Sequence, residues 1–333
     1  MDLPVIAVTM GDPAGIGPEL IVKVLSGNSV HGRCRPIVVG DAAVIQDACV
    51  LLGADVQVRT VESPGGASFS PGTVEVIPPE ELRVAGVVPG NVDEATGKAA
   101  AVCLEKAFAL GMAGAVHGVV SAPMNKHAFH LAGYDYFDEV DYLAALTNSR
   151  EHMLFGVISP SLWTVAVTVH VPFREIADLI TRDRVVRHVR RLHGVLEAIG
   201  LAGPRIAVAA LNVHGGEGGL FGREEIEEIA PGIQEARAQG INATGPYPAD
   251  TVFVRARAGE FDGVVCMYHD QANIARKLLA TWNGATLVVG LPVVWGTTAH
   301  GTALDKAGKG MGNPGSLEAA LTCTAMLASR GVR

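Results

Sequence analysis

The sequence predicts an α/β fold of two closely packed lobes, and three observations carry that reading. Apolar, β-branched runs recur along the chain and stop abruptly in polar clusters, as in Val264-Val265-Cys266-Met267-Tyr268-His269-Asp270-Gln271. Between them lie stretches with the 3.6-residue apolar spacing of helices, such as Asp93–Gly111 with Ala100, Val102, Cys103, Ala107 and Leu110 on one stripe. The composition, 49% hydrophobic and 18% charged with 40 glycines in 333 residues, fits a compact enzyme full of short turns. No linker, repeat or low-complexity tract divides the chain, so the lobes are expected to share it by crossing over and returning.

The formal net charge of −8 argues against a nucleic-acid binder, and the basic run Arg182–Arg191 is short enough to be one helix face. Cys34, Cys49, Cys103, Cys266 and Cys323 are scattered and form no C-x-x-C pair, which points to a reducing compartment. The start lacks a basic leader, and no apolar run reaches the ~18 residues of a membrane span. The expectation is a cytoplasmic protein with neither nucleic-acid nor membrane partners.

In chain order, Pro4–Met10 reads as a buried strand, and Gly11–Glu19 as a glycine-rich turn opening a helix at Pro18. Gly15 and Gly17 imitate a dinucleotide fingerprint, yet Leu20 stands where its third glycine belongs, and Pro18 removes an N–H from the loop. Val56–Val61 and Thr73–Ile77 are peripheral strands around the Gly/Pro-rich Ser63–Pro71. Gly118–Ser121 is a strand with Asn125 and Lys126 beyond its carboxyl end. Asp135, Asp138, Glu139 and Asp141 precede a helical run, Tyr142–Thr147, as the helix dipole favours. Trp163–Val169 is a strand leading to His170, Arg174–Ile199 is largely helical, and Pro204–Leu211 is a strand leading to His214. A helix covers Arg223–Ala238, with Pro231 able to break it. Gly245–Thr251 is read as a turn entering a strand at Val252–Val254. Thr286–Gly290 is a further strand, and Ser316–Ser329 a closing helix.

His170, His214 and His269 each stand at or just past the carboxyl end of a buried strand, where open α/β sheets bind their ligands. Imidazoles so placed can converge on a divalent metal that polarises an oxygen, while each alone is more often structural. Asp250, Asp270 and Lys277 lie close in sequence. Such a site supports hydrolysis or alcohol oxidation, and the glycine-rich stretch His300–Gly310, which hydrolysis does not need, separates the two.

Thr9–Glu19, Ala122–Lys126, Leu211-Asn212-x-His214-x-Gly216-Glu217, Pro248–Thr251, Met267–Gln271 and His300–Ala303 together resemble the 4-hydroxythreonine-4-phosphate dehydrogenase family across nearly the whole chain. The segment through Asp305, Gly308 and Lys309 is similar to the adenosine-side loop of isocitrate and isopropylmalate dehydrogenases. The resemblance implies their two-lobed fold, with a first lobe of 1–125 plus 285–333, a second of 126–284, and the active site in the cleft. It also implies oxidation of a secondary alcohol β to a carboxylate by NAD or NADP, followed by decarboxylation of the keto acid. Implied site residues are metal ligands His170, His214 and His269, drawn from both subunits of a homodimer, and catalytic Lys277, Asp270 and Asp250. Lys277 is in addition a substrate contact, and His300, Gly301, Thr302, Ala303 and Asp305 serve the cofactor. The metal is zinc, magnesium, manganese or cobalt, since imidazole suits several divalent ions.

The departures concern substrate. Where the family has Gly-His-Thr-Glu this chain has Asp138-Glu139-Val140-Asp141; Thr286 aligns with the family's Asn and Trp295 with its Arg. Losing that Arg removes a bidentate phosphate partner, and Glu139 repels an anion. The substrate is therefore expected to be a small hydroxy acid less anionic than 4-phosphohydroxythreonine, with Trp295 as a wall and Glu139 as a partner. Rival readings are 4-hydroxythreonine-4-phosphate dehydrogenase itself, a metal-dependent hydrolase or lyase on the same fold, and a non-catalytic binding protein.

Overall fold

The computed structural model describes residues 3–280 and 283–333. Its packing divides the chain into two units, Met1–His152 with Ala285–Arg333, and Met153–Gly284. Elements are numbered along the whole chain.

The first unit holds β1 (Val5–Thr9), α1 (Gly17–Leu25), β2 (Arg35–Val39), α2 (Ala42–Leu52), β3 (Gln57–Thr60), β4 (Thr73–Ile77), α3 (Glu94–Met112), β5 (Gly118–Ser121), α4 (Lys126–Leu131) and α5 (Glu139–Leu146). It is completed by β11 (Ala285–Val289), β12 (Val294–Thr298) and α11 (Gly315–Ala328). Its strands lie in the order β3-β4-β2-β1-β5-β12-β11, parallel except for the β11–β12 pair. The inner strands β1, β2 and β5 are apolar runs because helices cover both faces of such a sheet. Asp41, Asp93, Asn125 and Asp138 start α2, α3, α4 and α5 by accepting backbone N–H groups of their first turns. Gly97 lets α3 touch α4: a Cβ there would lie 1.9 Å from the Ala128 carbonyl oxygen.

The second unit holds β6 (Met153–Ser159), β7 (Leu162–Ala166), α6 (Ile176–Leu179), α7 (Arg182–Ala198), β8 (Ile206–Ala209), α8 (Ala230–Ala238), β9 (Ala243–Tyr247), α9 (Ala249–Arg257), β10 (Gly263–Cys266) and α10 (His269–Ala280). The strand order is β6-β7-β10-β8-β9, again parallel except for one antiparallel pair, β6–β7. Ala207, Val264 and Cys266 pack with Val252 and Phe253 of α9 and with Phe261.

Several elements differ from the sequence reading. Val252–Val254 is helical, inside α9, and the expected turn begins within β9, whose last residues are Gly245–Tyr247. Val-Phe-Val suits a strand locally, but Val252, Phe253 and Ala256 at helical spacing bury one face while Val254 stays exposed. Pro231 falls in the first turn of α8, directly after a single π turn over Glu225–Ile229. β6, β12, α2 and α10 are elements that the reading of the sequence does not include.

Gly97→Ala forces a methyl group into the Ala128 carbonyl, so it is expected to lower stability by about 1–3 kcal/mol, read from urea unfolding.

Candidate active site

In the second unit, β7, β10, β8 and β9 are adjacent and parallel, so their carboxyl ends share one edge about 4.8 Å apart per strand. His170 follows β7, His269 follows β10, His214 follows β8, and Asp250 follows β9. Three histidines thus stand beyond three consecutive strands. The His170 and His269 rings are 5.9 Å apart, centroid to centroid. Asp270 Oδ1 lies 2.8 Å from His269 Nδ1. A carboxylate only accepts, so Nδ1 is the donor in this bond, and in the neutral ring Nε2 then carries the lone pair a metal-binding imidazole needs. Among the described residues of this one chain, no three His, Cys, Asp or Glu side chains gather closely enough to hold an ion by themselves. As donors, the two neighbouring rings fit two ligands of one divalent ion.

The strand ends are fixed by polar side chains. Gln271 Oε1 accepts the Met267 N–H at 2.7 Å while its Nε2 donates to the Ala210 carbonyl at 2.8 Å, joining the ends of β10 and β8. The Thr168 hydroxyl donates to the Met267 carbonyl at 2.8 Å. Asp250 and Asp270 are exposed in the first turns of α9 and α10. Lys277 is exposed in the last turn of α10, about 12 Å along the axis from His269.

His214 sits in an unusual backbone. His214, Gly215, Gly216, Glu217, Gly218 and Gly219 all have positive φ, His214 at 52°. Left-handed backbone costs a non-glycine residue about 1–2 kcal/mol, so His214 and Glu217 must be held there by their surroundings. The buried carboxylate of Glu225 lies directly beneath. Its Oε1 accepts the N–H groups of Leu211 at 2.8 Å and Asn212 at 2.7 Å, and Oε2 accepts Asn212 Nδ2 at 2.9 Å. In the sequence Glu225 is one of several acids at the start of the helix expected over Arg223–Ala238. The signal available was an acid pair, Glu224-Glu225, a few residues past a glycine-rich loop.

In the first unit, β1, β5 and β12 are adjacent and parallel, and the loops after them pack together. The Ile16 N–H donates to the Thr302 carbonyl at 3.1 Å, and the Asp12 N–H to the Pro123 carbonyl at 2.9 Å. Gly15 and Gly17 serve this packing, since a Cβ would fall 2.9 Å from Thr302 Cβ or 2.5 Å from the Met10 carbonyl oxygen. The stretch after Thr302 is anchored on α1. Glu19 Oε1 accepts the Gly308 N–H at 2.7 Å, and Lys23 Nζ donates to the carbonyls of Gly310 and Gly312 at 2.7 and 2.6 Å. Along it Thr302 is buried, His300 and Ala303 are half-buried, and Gly301 and Asp305 are exposed. Asp12 is fully buried at the end of β1, with Oδ1 accepting the Ala14 N–H. Burial pushes its carboxyl up to about 6, the charge of Asp93 adds to the rise, and the Ala14 bond opposes it.

The substrate-contact positions separate. Glu139 is half-buried in the first turn of α5. Burial chiefly raises its pKa, the Asp138 charge adds, and its own helix N–H and Lys126 oppose. Thr286 is half-buried on β11, opposite Thr297. Val140 is buried, and Trp295 is buried completely on β12 with its Nε1–H donating to Ser121 Oγ at 2.8 Å. The expectation of Trp295 as a wall against substrate is corrected: the indole is a core side chain whose polar atom is already satisfied.

A family model described as "Pyridoxal phosphate biosynthetic protein PdxA" matches residues 32–324. The chain is 39% identical over 325 residues to the D-threonate 4-phosphate dehydrogenase of Pectobacterium atrosepticum, covering 97% of this chain and 99% of that one. It superposes on the crystal structure of a 4-hydroxythreonine-4-phosphate dehydrogenase from Burkholderia phymatum with a TM-score of 0.83 at 38% identity, covering 98% and 99% of the two chains. A terephthalate 1,2-cis-dihydrodiol dehydrogenase from Burkholderia xenovorans LB400 matches at 28% identity with a TM-score of 0.66, covering 97% and 98%. No helix among the described residues is long and apolar enough to cross a membrane.

Asp12 gives a pH test. Its carboxyl titrates near 6 when folded and near ~3.9 when unfolded, so between those values the folded chain holds a proton the unfolded chain releases. Its contribution is complete below pH ~4 and is lost as pH rises through 6. Between pH 4.5 and 7 the unmodified protein is expected to lose about 2 kcal/mol of stability relative to Asp12→Asn, measured by urea unfolding across that range.

Proposed function

Because the chain belongs to the PdxA family, we propose that it is a divalent-metal-dependent NAD(P) dehydrogenase oxidising a secondary alcohol of a small hydroxy acid, with decarboxylation of the keto acid formed. The observation that carries this reading is the run of His170, His269 and His214 beyond three consecutive parallel strands, with His269 oriented by Asp270. When bound, the metal lowers the pKa of the substrate hydroxyl and a nicotinamide accepts hydride. The three histidines would hold the ion through ring nitrogens, contributed by both subunits of a homodimer. Lys277, Asp270 and Asp250 are the side chains available to move the hydroxyl proton and to orient the acid. His300, Gly301, Thr302, Ala303 and Asp305 form the dinucleotide-side loop, which the Glu19 and Lys23 anchors fix.

The substrate proposed is less anionic than the phosphorylated acids for which the 4-phosphate dehydrogenases are named. At position 295 the family's Arg is replaced by a buried indole, so no cation is available there for a phosphate. Glu139, where the family has His, replaces a possible cation by an acid beside Asp138. The relative from Burkholderia xenovorans is named for a terephthalate dihydrodiol, a compound with carboxylates and no phosphate. The 39% identity to the Pectobacterium enzyme favours a second reading, in which a 4-phosphorylated acid is still the substrate.

NAD(P)H formation with 4-phosphohydroxythreonine, D-threonate 4-phosphate and a panel of unphosphorylated hydroxy acids separates the readings. Turnover is expected to favour the unphosphorylated members, and efficient turnover of either phosphate ester would defeat the altered-substrate proposal. With the best substrate, His269→Ala is expected to lower kcat/KM by about 10³-fold or more. Lys277→Ala is expected to lower kcat by about 10²- to 10⁴-fold with metal content unchanged, as determined by elemental analysis.

A further inference from the structure

Glu225 occupies a position that a helix-starting acid does not need. It is 4% exposed, on the π turn that precedes α8, and its carboxylate points back under the loop that carries His214. The N–H groups of Leu211 and Asn212 and the Asn212 side-chain amide all donate to it, and they come from the residues immediately before His214. On the other side, a Cβ on Gly216 would lie 2.7 Å from Glu225 Oε2, so the loop closes over the carboxylate two residues past His214. Glu224 Oε2 takes a second bond from Asn212 Nδ2 at 2.6 Å. The positive-φ run of residues 214–219 is therefore gripped at its entrance and pressed against the same carboxylate in its middle.

We propose that Glu225 is a positioning residue: by binding the backbone on the entry side of His214 and filling the space under Gly216, it sets the direction of the His214 imidazole and hence the affinity of the metal site. The inference rests on the reading of His214 as a metal ligand. A charged acceptor suits the task because two converging N–H groups and an amide need acceptors in one small buried space, and a carboxylate supplies only acceptors. Ligand orientation by groups behind the ligand commonly changes metal affinity by ~10–100-fold.

The test is titration of the metal-free full-length protein with Co²⁺, following the visible absorption of the bound ion and its dissociation constant. Glu225→Gln keeps the shape but turns an amide donor toward the Asn212 amide. It is expected to weaken Co²⁺ binding about 10- to 100-fold and to change the absorption bands. Asn212→Ala removes the side-chain bonds to Glu224 and Glu225, keeps the backbone N–H groups, and is expected to weaken binding a few-fold, which covers the case of a poorly folded Gln variant. In a His214→Ala background, Glu225→Gln should cause no further loss of the residual affinity, whereas a merely structural role would lower both alike. Wild-type affinity and spectrum in Glu225→Gln and Asn212→Ala, with His214→Ala impaired, would overturn the proposal while sparing the metal reading. Undiminished binding in His214→Ala would instead remove the reading on which it rests.

Discussion

Neighbouring parallel strands all finish at the same edge, and the arrangement of this protein's polar residues depends on that constraint. A parallel sheet can be buried on both faces, so its strands are free to be almost wholly apolar, and the polar residues needed for chemistry collect where the strands stop. In the second unit this places His170, His269 and His214 beyond adjacent strands although 99 residues of chain, with a whole α/β layer, separate the first two from each other in sequence. In the first unit the same rule brings the loops after β1, β5 and β12 into direct hydrogen-bonded contact.

Strand ends expose backbone groups that must be paired, and the chain meets the need with a small set of side chains. Gln271 joins the ends of β10 and β8, Thr168 ties the end of β7 to that of β10, and Glu225 takes up the donors at the end of β8. Glu19 and Lys23 do the same for the glycine-rich stretch beyond β12. Each of these is a buried or half-buried polar side chain bonded to backbone groups, which helps a loop to hold a defined shape. The left-handed run at His214 is the extreme case, where glycines admit the backbone and a carboxylate fixes it.

Much of this was legible before the fold was known. The strands β1, β5, β7, β8 and β10 and the three histidine-bearing ends follow from runs of apolar residues that stop abruptly, a signal each segment carries by itself. Val252–Val254 misled because three apolar residues have no period, and only burial of Val252 and Phe253 beside an exposed Val254 shows a helix face. Trp295 misled for a different reason: replacing an Arg by a Trp looks like a new surface, but its neighbours on the sheet bury it and Ser121 takes its N–H. Glu225 was invisible as a partner of Leu211 and Asn212 because a glycine-rich loop brings it back to residues 13 and 14 positions earlier, and no local pattern encodes that return.

The central claim is that one divalent ion joins the three strand-end histidines. Crystals grown with Co²⁺ or Zn²⁺, measured on both sides of that metal's absorption edge, address it directly. The account predicts one strong anomalous peak within about 2.0–2.3 Å of ring nitrogens from His170, His214 and His269, with a second subunit completing the set. An ion bound elsewhere, with these three imidazoles unliganded, would contradict it.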